Sequence, residues 1–277
     1  MLTSMPHHSP PIQPGYGELD DTERRLLAMI SDIVASQVHR PTQGEYNRVA
    51  VVDGRWVIRI AMTDDAREYL PNELVVLRCL SQCRVPRPLA EQEHGAVYEF
   101  IPGEELDRPA WDALDELSRK SVAGQLRTVL QELHSLSPDM LPNPLDELDV
   151  EWVRASIRSC SAMPPRRQLT FDPAGLLNRF EAAWLLADTP TAIVHVDLKP
   201  PNLLIDGDQA AIIDFGGLSL GDPALDYGVL AHFFGDELLR EMDLEDTPLA
   251  ARARCYADLY MLRRCTRGWT RSAPRFA

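Results

Sequence analysis

At 277 residues, with 45% apolar side chains, the chain has material for one large domain or for two lobes sharing a cleft. Its 42 acids against 28 basic residues, a formal net charge of -14, exclude nucleic acid and anionic membranes as main partners. Both need a positive patch to neutralise phosphates, and a cationic small molecule fits better. Five cysteines, an odd number without repeated close spacing, exclude a disulfide framework, and no run approaches the ~18 consecutive apolar residues of a membrane span. The amino terminus lacks the basic-then-apolar order of a signal peptide, so the expected location is cytoplasmic, with no obligate protein partner in evidence.

Residues 1–17 hold Pro6, Pro10, Pro11 and Pro14 with little apolar content and read as a disordered lead-in. Across 19–38 the residues Leu26, Leu27, Ile30, Ile33 and Val34 recur at helical spacing behind an acidic first turn at Asp20 and Asp21. Two β-rich runs, 47–52 and 55–61, joined by Asp53-Gly54, predict a hairpin. A helix over 66–83 and a strand over 96–100 complete a small antiparallel sheet with one inserted helix. Ile101-Pro102-Gly103 then opens a mainly helical remainder, which divides the chain into lobes at 18–101 and 102–277. In the second lobe amphipathic stretches span 111–136 and 173–186, and short apolar strands are expected at 191–194, 202–205 and 210–213.

The chemistry concentrates in His195-Val196-Asp197-Leu198-Lys199-Pro200-Pro201-Asn202 and in Asp214-Phe215-Gly216. The first puts a carboxylate on a loop directly after an apolar strand, with an amide five residues later, and Asp214 follows at the end of the next hairpin. Phosphoryl transfer passes through a loose transition state. The protein therefore mainly positions reactants and neutralises charge, with a carboxylate facing the acceptor hydroxyl and hard oxygen ligands for a magnesium ion. Asp197, Asn202 and Asp214 supply those groups.

These two segments resemble the kinase superfamily, whose catalytic loop reads H-x-D-L-x-x-x-N and whose metal loop reads D-F-G. Gly221-Asp222-Pro223-Ala224-Leu225-Asp226 follows after a few residues, with no A-P-E triplet, and this G-D-P-x-x-D run is similar to the aminoglycoside phosphotransferase family. The resemblance spans about residues 40–262. It implies a two-lobed, protein-kinase-like α+β fold, with a small antiparallel β-sheet N-lobe and a mainly helical C-lobe. It also implies transfer of the γ-phosphate of ATP, with Mg2+, to a hydroxyl of an aminoglycoside-type antibiotic. Macrolide, choline or homoserine kinases share the fold and stay open as alternatives, as does a nucleotide-binding module with little activity.

By the same resemblance Asp197 is the catalytic carboxylate, and Asn202 and Asp214 are the metal ligands. Arg59 stands where relatives place a phosphate-holding lysine, and Glu73 stands where its ion-pair partner belongs. Gly44, in a loop with a single glycine, lies where relatives shield the phosphates, and Glu99 to Ile101 is the expected adenine hinge. Lys199 either reaches the transferred phosphate or is an exposed loop lysine. His195 is expected to fix the loop, and His134 to be a packed or capping residue. Val196 occupies a position where the small-molecule branch often has Gly, and its side chain is not one that touches phosphate or metal.

On the acceptor side, residues 222–246 carry eight acids, including Asp222, Asp226, Glu237 and Glu241, against Arg240 alone, an expected negative wall for a cationic substrate. Phe233, Phe234, Leu238 and Leu239 offer an apolar groove as the alternative. Residues 263–277 contain five arginines and no acid, and the apolar spacing stops after Leu262, which reads as an altered terminus.

Overall fold

The computed structural model describes residues 18–30, 35–41, 46–80, 83–163, 169, 171–185 and 191–266. Gly44, the 1–17 lead-in and the residues after 266 lie outside them. The described chain forms two compact units, one made of residues up to Arg67 with Pro88–Phe100, the other of Glu68–Arg87 and the chain from Ile101 onward. The sequence reading had assigned 68–87 to the N-terminal lobe.

The first unit opens with α1 (Asp21–Ala28), started by a capping box in which Asp20 and Glu23 each accept the other's backbone N–H at 2.9 Å. The helix is shorter than the periodicity over 19–38 suggested, because the chain turns out at Met29 and returns as β1 (Val38–His39). β2 (Asn47–Val52) and β3 (Trp56–Ala61) form the expected hairpin. Asp53 and Gly54 both adopt positive φ, 52° and 61°, the geometry of a two-residue turn that matches strand twist. The Asp53 carboxylate also accepts from Ser36 Oγ and the Gln37 N–H, both at 2.6 Å, and the serine bond leads in holding its pKa below the usual value. β4 (Pro88–Gln92) and β5 (Gly95–Glu99) complete a sheet of order β1-β2-β3-β5-β4. β4, a strand not expected from the sequence, starts at Pro88 and lies at the sheet edge, where a residue without an N–H is tolerated. Leu26, Leu27, Ala50, Val52, Ile58 and Val97 form the core under the sheet.

Between β3 and β4 runs α2 (Asp64–Cys79), whose residues from Glu68 onward belong to the second unit. That unit continues through β6 (Glu104–Glu105), α3 (Arg108–Ala113) and α4 (Glu116–Ser135). The stretch expected as one helix over 111–136 is thus two, because Asp115 takes extended backbone and caps α4 by accepting the Ser118 N–H at 2.8 Å. β7 (Glu147–Leu148) leads into α5 (Val150–Ser161), a helix the sequence reading missed, and α6 (Pro173–Trp184) follows. Asp107, Asp149 and Asp172 cap α3, α5 and α6 in the same way, so part of the acidic excess opens helices.

β8 (Ala192–Val194), β9 (Leu203–Asp206), β10 (Gln209–Ile212) and β11 (Ser219–Gly221) carry the functional loops. β9 lies between β6 and β10, and β11 lies between β8 and β7. The chain closes with α7 (Ala224–Phe234), α8 (Asp236–Glu241) and α9 (Pro248–Cys265). Arg263 is no part of a frayed end: it is buried near the end of α9 with its guanidinium 5.2 Å from the Trp152 ring.

α7 packs on α9 with the backbones close at Gly228. A Cβ there would stand 2.5 Å from Tyr256 Cβ and 2.7 Å from the Ala253 carbonyl oxygen. Since a backbone atom cannot yield as a side-chain tip can, Gly228→Ala is expected to lose about 1–3 kcal/mol of stability by urea denaturation.

Near the end of the same helix pair the His232 ring meets Phe233 edge-on and Tyr260 at a tilt, with ring centroids 5.0 and 4.8 Å away. Burial first, and the Arg264 charge second, push its pKa down to about 4, against a hydrogen bond to the Ala257 backbone. Between the unfolded value of 6.5 and about 4, the unfolded chain binds a proton that the folded chain refuses. Stability is therefore full above pH 6.5 and falls as pH drops toward 4, by about 2 kcal/mol after discounting for the solvated part of the ring. Thermal melts from pH 7 to 4 should show His232→Phe losing less than the parent. Equal losses would remove His232 as the cause.

Candidate active site

The catalytic loop starts from a wholly buried strand, since Ala192, Ile193 and Val194 all face apolar surroundings. Where β8 ends, the His195 and Val196 N–H groups turn the same way and donate to one carboxylate, Asp226 Oδ2 at 2.9 Å and Oδ1 at 2.8 Å. His134 Nε2 meets the same Oδ2 at 2.9 Å. Asp226 has no exposed surface, so three polar partners from α4 and the loop converge on a carboxylate with no water to replace them. This turn places Val196 at φ 63°, the left-handed region, which costs a β-branched residue about 1–2 kcal/mol. Gly is at home at this position for its backbone, a reason that the side-chain argument from sequence did not contain.

His195 is wholly buried. Its Nδ1 accepts the Asp197 N–H at 3.3 Å, and its ring meets Phe215 edge-on with centroids 4.7 Å apart. The histidine therefore ties the catalytic loop to the Asp214-Phe215-Gly216 turn.

Asp197 follows with its side chain 8% exposed. Lys199 Nζ lies 2.8 Å from its Oδ2. Asn202 Nδ2 donates to the same oxygen and to the Asp197 carbonyl, both at 2.8 Å. Burial raises the Asp197 pKa above the ordinary carboxylate value. Lys199 and His195 partly offset this, and the nearby Asp214 charge adds to it. Lys199 is thus more than a solvated loop charge, being held against the Asp197 carboxylate.

With Asn202 Nδ2 engaged, its Oδ1 is the end that can face a cation. The Ile213 N–H donates to the Asn202 carbonyl at 2.9 Å, which brings Asp214, the next residue, beside Asn202. Asp214 sits in the left-handed region at φ 64°, tolerable for Asp, so that its carboxylate leaves the strand direction of β10. Amide oxygen and carboxylate make a hard donor pair. Among the described residues no cluster of three or more His, Cys, Asp or Glu side chains forms a self-contained metal cage. A divalent ion on this pair needs its remaining ligands from water and phosphate.

The nucleotide-side candidates fall in both units. Arg59 is on β3 in the first, with its guanidinium 6.0 Å from the Tyr98 ring, and Glu73 is on α2 in the second, 2% exposed. In the hinge candidate, Glu99 ends β5 and the Phe100 N–H is committed to the Arg55 carbonyl at 2.8 Å. The Phe100 N–H is therefore not a free donor for backbone recognition there.

The expected acidic wall loses several of its members to partners within the protein. Asp222 is buried and held by Arg252, with Nε at 2.8 Å from Oδ2 and Nη2 at 3.3 Å from Oδ1, while its Oδ1 accepts the Ala224 N–H and starts α7. Neither it nor Asp226 can touch a substrate. Glu237 accepts Trp111 Nε1 at 2.9 Å with Arg108 and Arg119 beside it, and Asp236 takes Arg254 at 2.7 Å. Glu241 stays half-buried at the end of α8. Of the apolar groove, Phe234, Leu238 and Leu239 are wholly buried core, and Phe233 alone is partly exposed.

A buried loop carboxylate paired with a lysine, an amide beside a second carboxylate and a strand-turn-strand frame are the arrangement that phosphoryl transfer of the kinase type calls for. The sequence profile of the phosphotransferase enzyme family matches residues 37–267, and the chain belongs to that family, as a small-molecule kinase. The viomycin phosphotransferase of Streptomyces vinaceus is 26% identical over 250 residues, 79% of this chain and 81% of its own. Among solved structures, ADP-bound aminoglycoside phosphotransferase APH(2'')-Ib superposes with a TM-score of 0.66 at 19% identity, over 92% of this chain and 93% of that one. The streptomycin-ATP complex of APH(2'')-IIa gives 0.65 at 19%, over 88% and 89%. Macrolide 2'-phosphotransferase MphH of Brachybacterium faecium gives 0.59 at 20%, over 86% and 90%. At these identities the structures share the fold. No helix of the described residues is long and apolar enough to cross a membrane.

Proposed function

We propose that the protein transfers the γ-phosphate of ATP to a hydroxyl of a basic antibiotic, of the aminoglycoside or viomycin kind. The observation that carries the reading is the Asp197 carboxylate with Lys199 and Asn202 on one oxygen, which leaves the other to an acceptor hydroxyl. In this reading Asp197 orients the hydroxyl and takes its proton as the phosphoryl group arrives, and Lys199 neutralises charge on that group. Asn202 Oδ1 and Asp214 would hold Mg2+, which supplies charge neutralisation on the nucleotide phosphates. Arg59 is proposed to hold nucleotide phosphates, with Glu73 as a nucleotide-side carboxylate. Glu99 and Ile101 are proposed to offer backbone groups to the base.

A basic acceptor is supported by the viomycin and aminoglycoside relatives and by the net charge of -14, no longer by Asp222, Asp236 and Glu237, which arginines hold, nor by the wholly buried Asp226. An ADP-release assay across viomycin, aminoglycosides, macrolides, choline and homoserine tests the reading. Turnover on a basic antibiotic is the expected result. Mg2+-dependent ATP binding with no turnover on any of them would overturn it.

A further inference from the structure

Helix α2 carries a second polar residue beside Glu73 that the reaction does not use directly. Asn72 has no exposed surface, and its amide is doubly engaged by one residue of the segment that leads into β7. Asn72 Nδ2 donates to the Asn143 carbonyl at 2.9 Å, and the Asn143 N–H returns a bond to Asn72 Oδ1 at 3.0 Å. Around this pair, Asn143 Nδ2 donates to the Glu68 carbonyl at 2.7 Å, and Tyr69 Oη donates to Asp146 Oδ2 at 2.9 Å. Burial, and then that bond, push the tyrosine pKa up to about 12, so it stays a donor at any working pH.

The same segment is bonded to the metal loop's outgoing strand. The Leu220 N–H donates to the Asp146 carbonyl at 2.8 Å, and β7 pairs with β11 in parallel register, Leu220 with Glu147 and Gly221 with Leu148. Hydrogen bonds thus run without a gap from α2 through 143–148 to β11, two residues beyond Gly217. From β11 they continue to β8, which delivers Asp197.

α2 needs such an anchor. Pro71 has no N–H for the Arg67 carbonyl, so the helix ladder is interrupted just before Asn72. Successive residues of a helix point about 100° apart, so fixing Asn72 fixes the roll of the helix and the direction of Glu73. Among uncharged side chains, a reciprocal amide clamp is well suited to this: it satisfies one donor and one acceptor and admits one register.

We propose that Asn72 is a positioning residue for nucleotide binding: with Asn143, and with Tyr69 and Asp146 as an outer brace, it locks α2 to the β7–β11 pair and holds Glu73 in its working direction. The proposal rests on the nucleotide role proposed for Glu73. In consequence α2 is a fixed part of the catalytic unit before any nucleotide arrives, and the brace joins it to the strand that feeds α5 and α6.

The test needs no acceptor. Dissociation constants for ATP in MgCl2 are measured by calorimetry on the full chain, well below the melting temperature of every variant. Glu73→Gln is expected to weaken ATP. Asn72→Ala is expected to weaken it about tenfold, the loss of two buried bonds. Tyr69→Phe, which removes one hydroxyl from a half-buried ring, is expected to keep the fold and to weaken ATP about twofold, with faster amide exchange over residues 72–79 in both. If Glu73→Gln binds ATP normally, the nucleotide reading of α2 fails. If Glu73→Gln weakens ATP while Asn72→Ala lowers only the melting temperature, the positioning role fails and the clamp is structural. Should Asn72→Ala not fold, Tyr69→Phe decides: unchanged affinity and exchange overturn the proposal.

Discussion

Asp197→Ala is expected to lower kcat by at least about a thousandfold, roughly 4 kcal/mol of barrier, with the affinity for Mg2+-ATP kept within about threefold. The split follows from where Asp197 stands. Its partners are Lys199 and Asn202 within the loop, and the role proposed for it lies at the acceptor hydroxyl, an interaction made in the transition state. Stability should move the other way or not at all. Burial is the leading cause of the raised pKa, so an ionised Asp197 is held at a cost that Asp197→Asn removes while keeping the shape. Parallel measurements of kcat and melting temperature on both variants check this. A variant with near-full turnover would dismiss Asp197 as the catalytic carboxylate.

The loop was legible in the sequence because its chemistry is local. Asp197, Lys199 and Asn202 lie within six residues, the span over which a loop after a buried strand fixes geometry. The hairpin at Asp53-Gly54 was legible for a like reason, two residues that tolerate positive φ between β-rich runs. What failed was non-local. The acids of 222–246 were weighed against Arg240, the one basic residue in the run. Arg240 does pair with Glu245, but most of their partners come from elsewhere in the chain: Arg108 on α3, Arg119, Lys120 and Arg127 on α4, and Arg252 and Arg254 on α9. The Asn72 clamp joins residues 71 positions apart, and no spacing announces it. At Val196 the error was one of level, since the side chain is inert and the backbone carries the constraint.

The acid that moved furthest from its expected role carries the other large prediction. Asp226 was read as substrate wall, and the structure makes it the anchor of the catalytic loop, accepting the His195 and Val196 N–H groups and meeting His134. Asp226→Ala strips three buried polar groups of their partner at once. At about 1–3 kcal/mol for each unsatisfied group, partly relieved by loop movement, the expected loss is about 3–5 kcal/mol in urea denaturation. The relief is itself damaging: without the carboxylate Val196 loses the bond that its N–H makes in the left-handed region, and Asp197 is expected to turn with its neighbour. Turnover is therefore expected to fall about a hundredfold or more, even at temperatures where the variant is fully folded. His134→Phe leaves both loop N–H groups on Asp226 and should lose about 1 kcal/mol with kcat nearly unchanged. If the two variants instead lose stability and activity in the same ratio, the loop is held by its packing and Asp226 is one support among several.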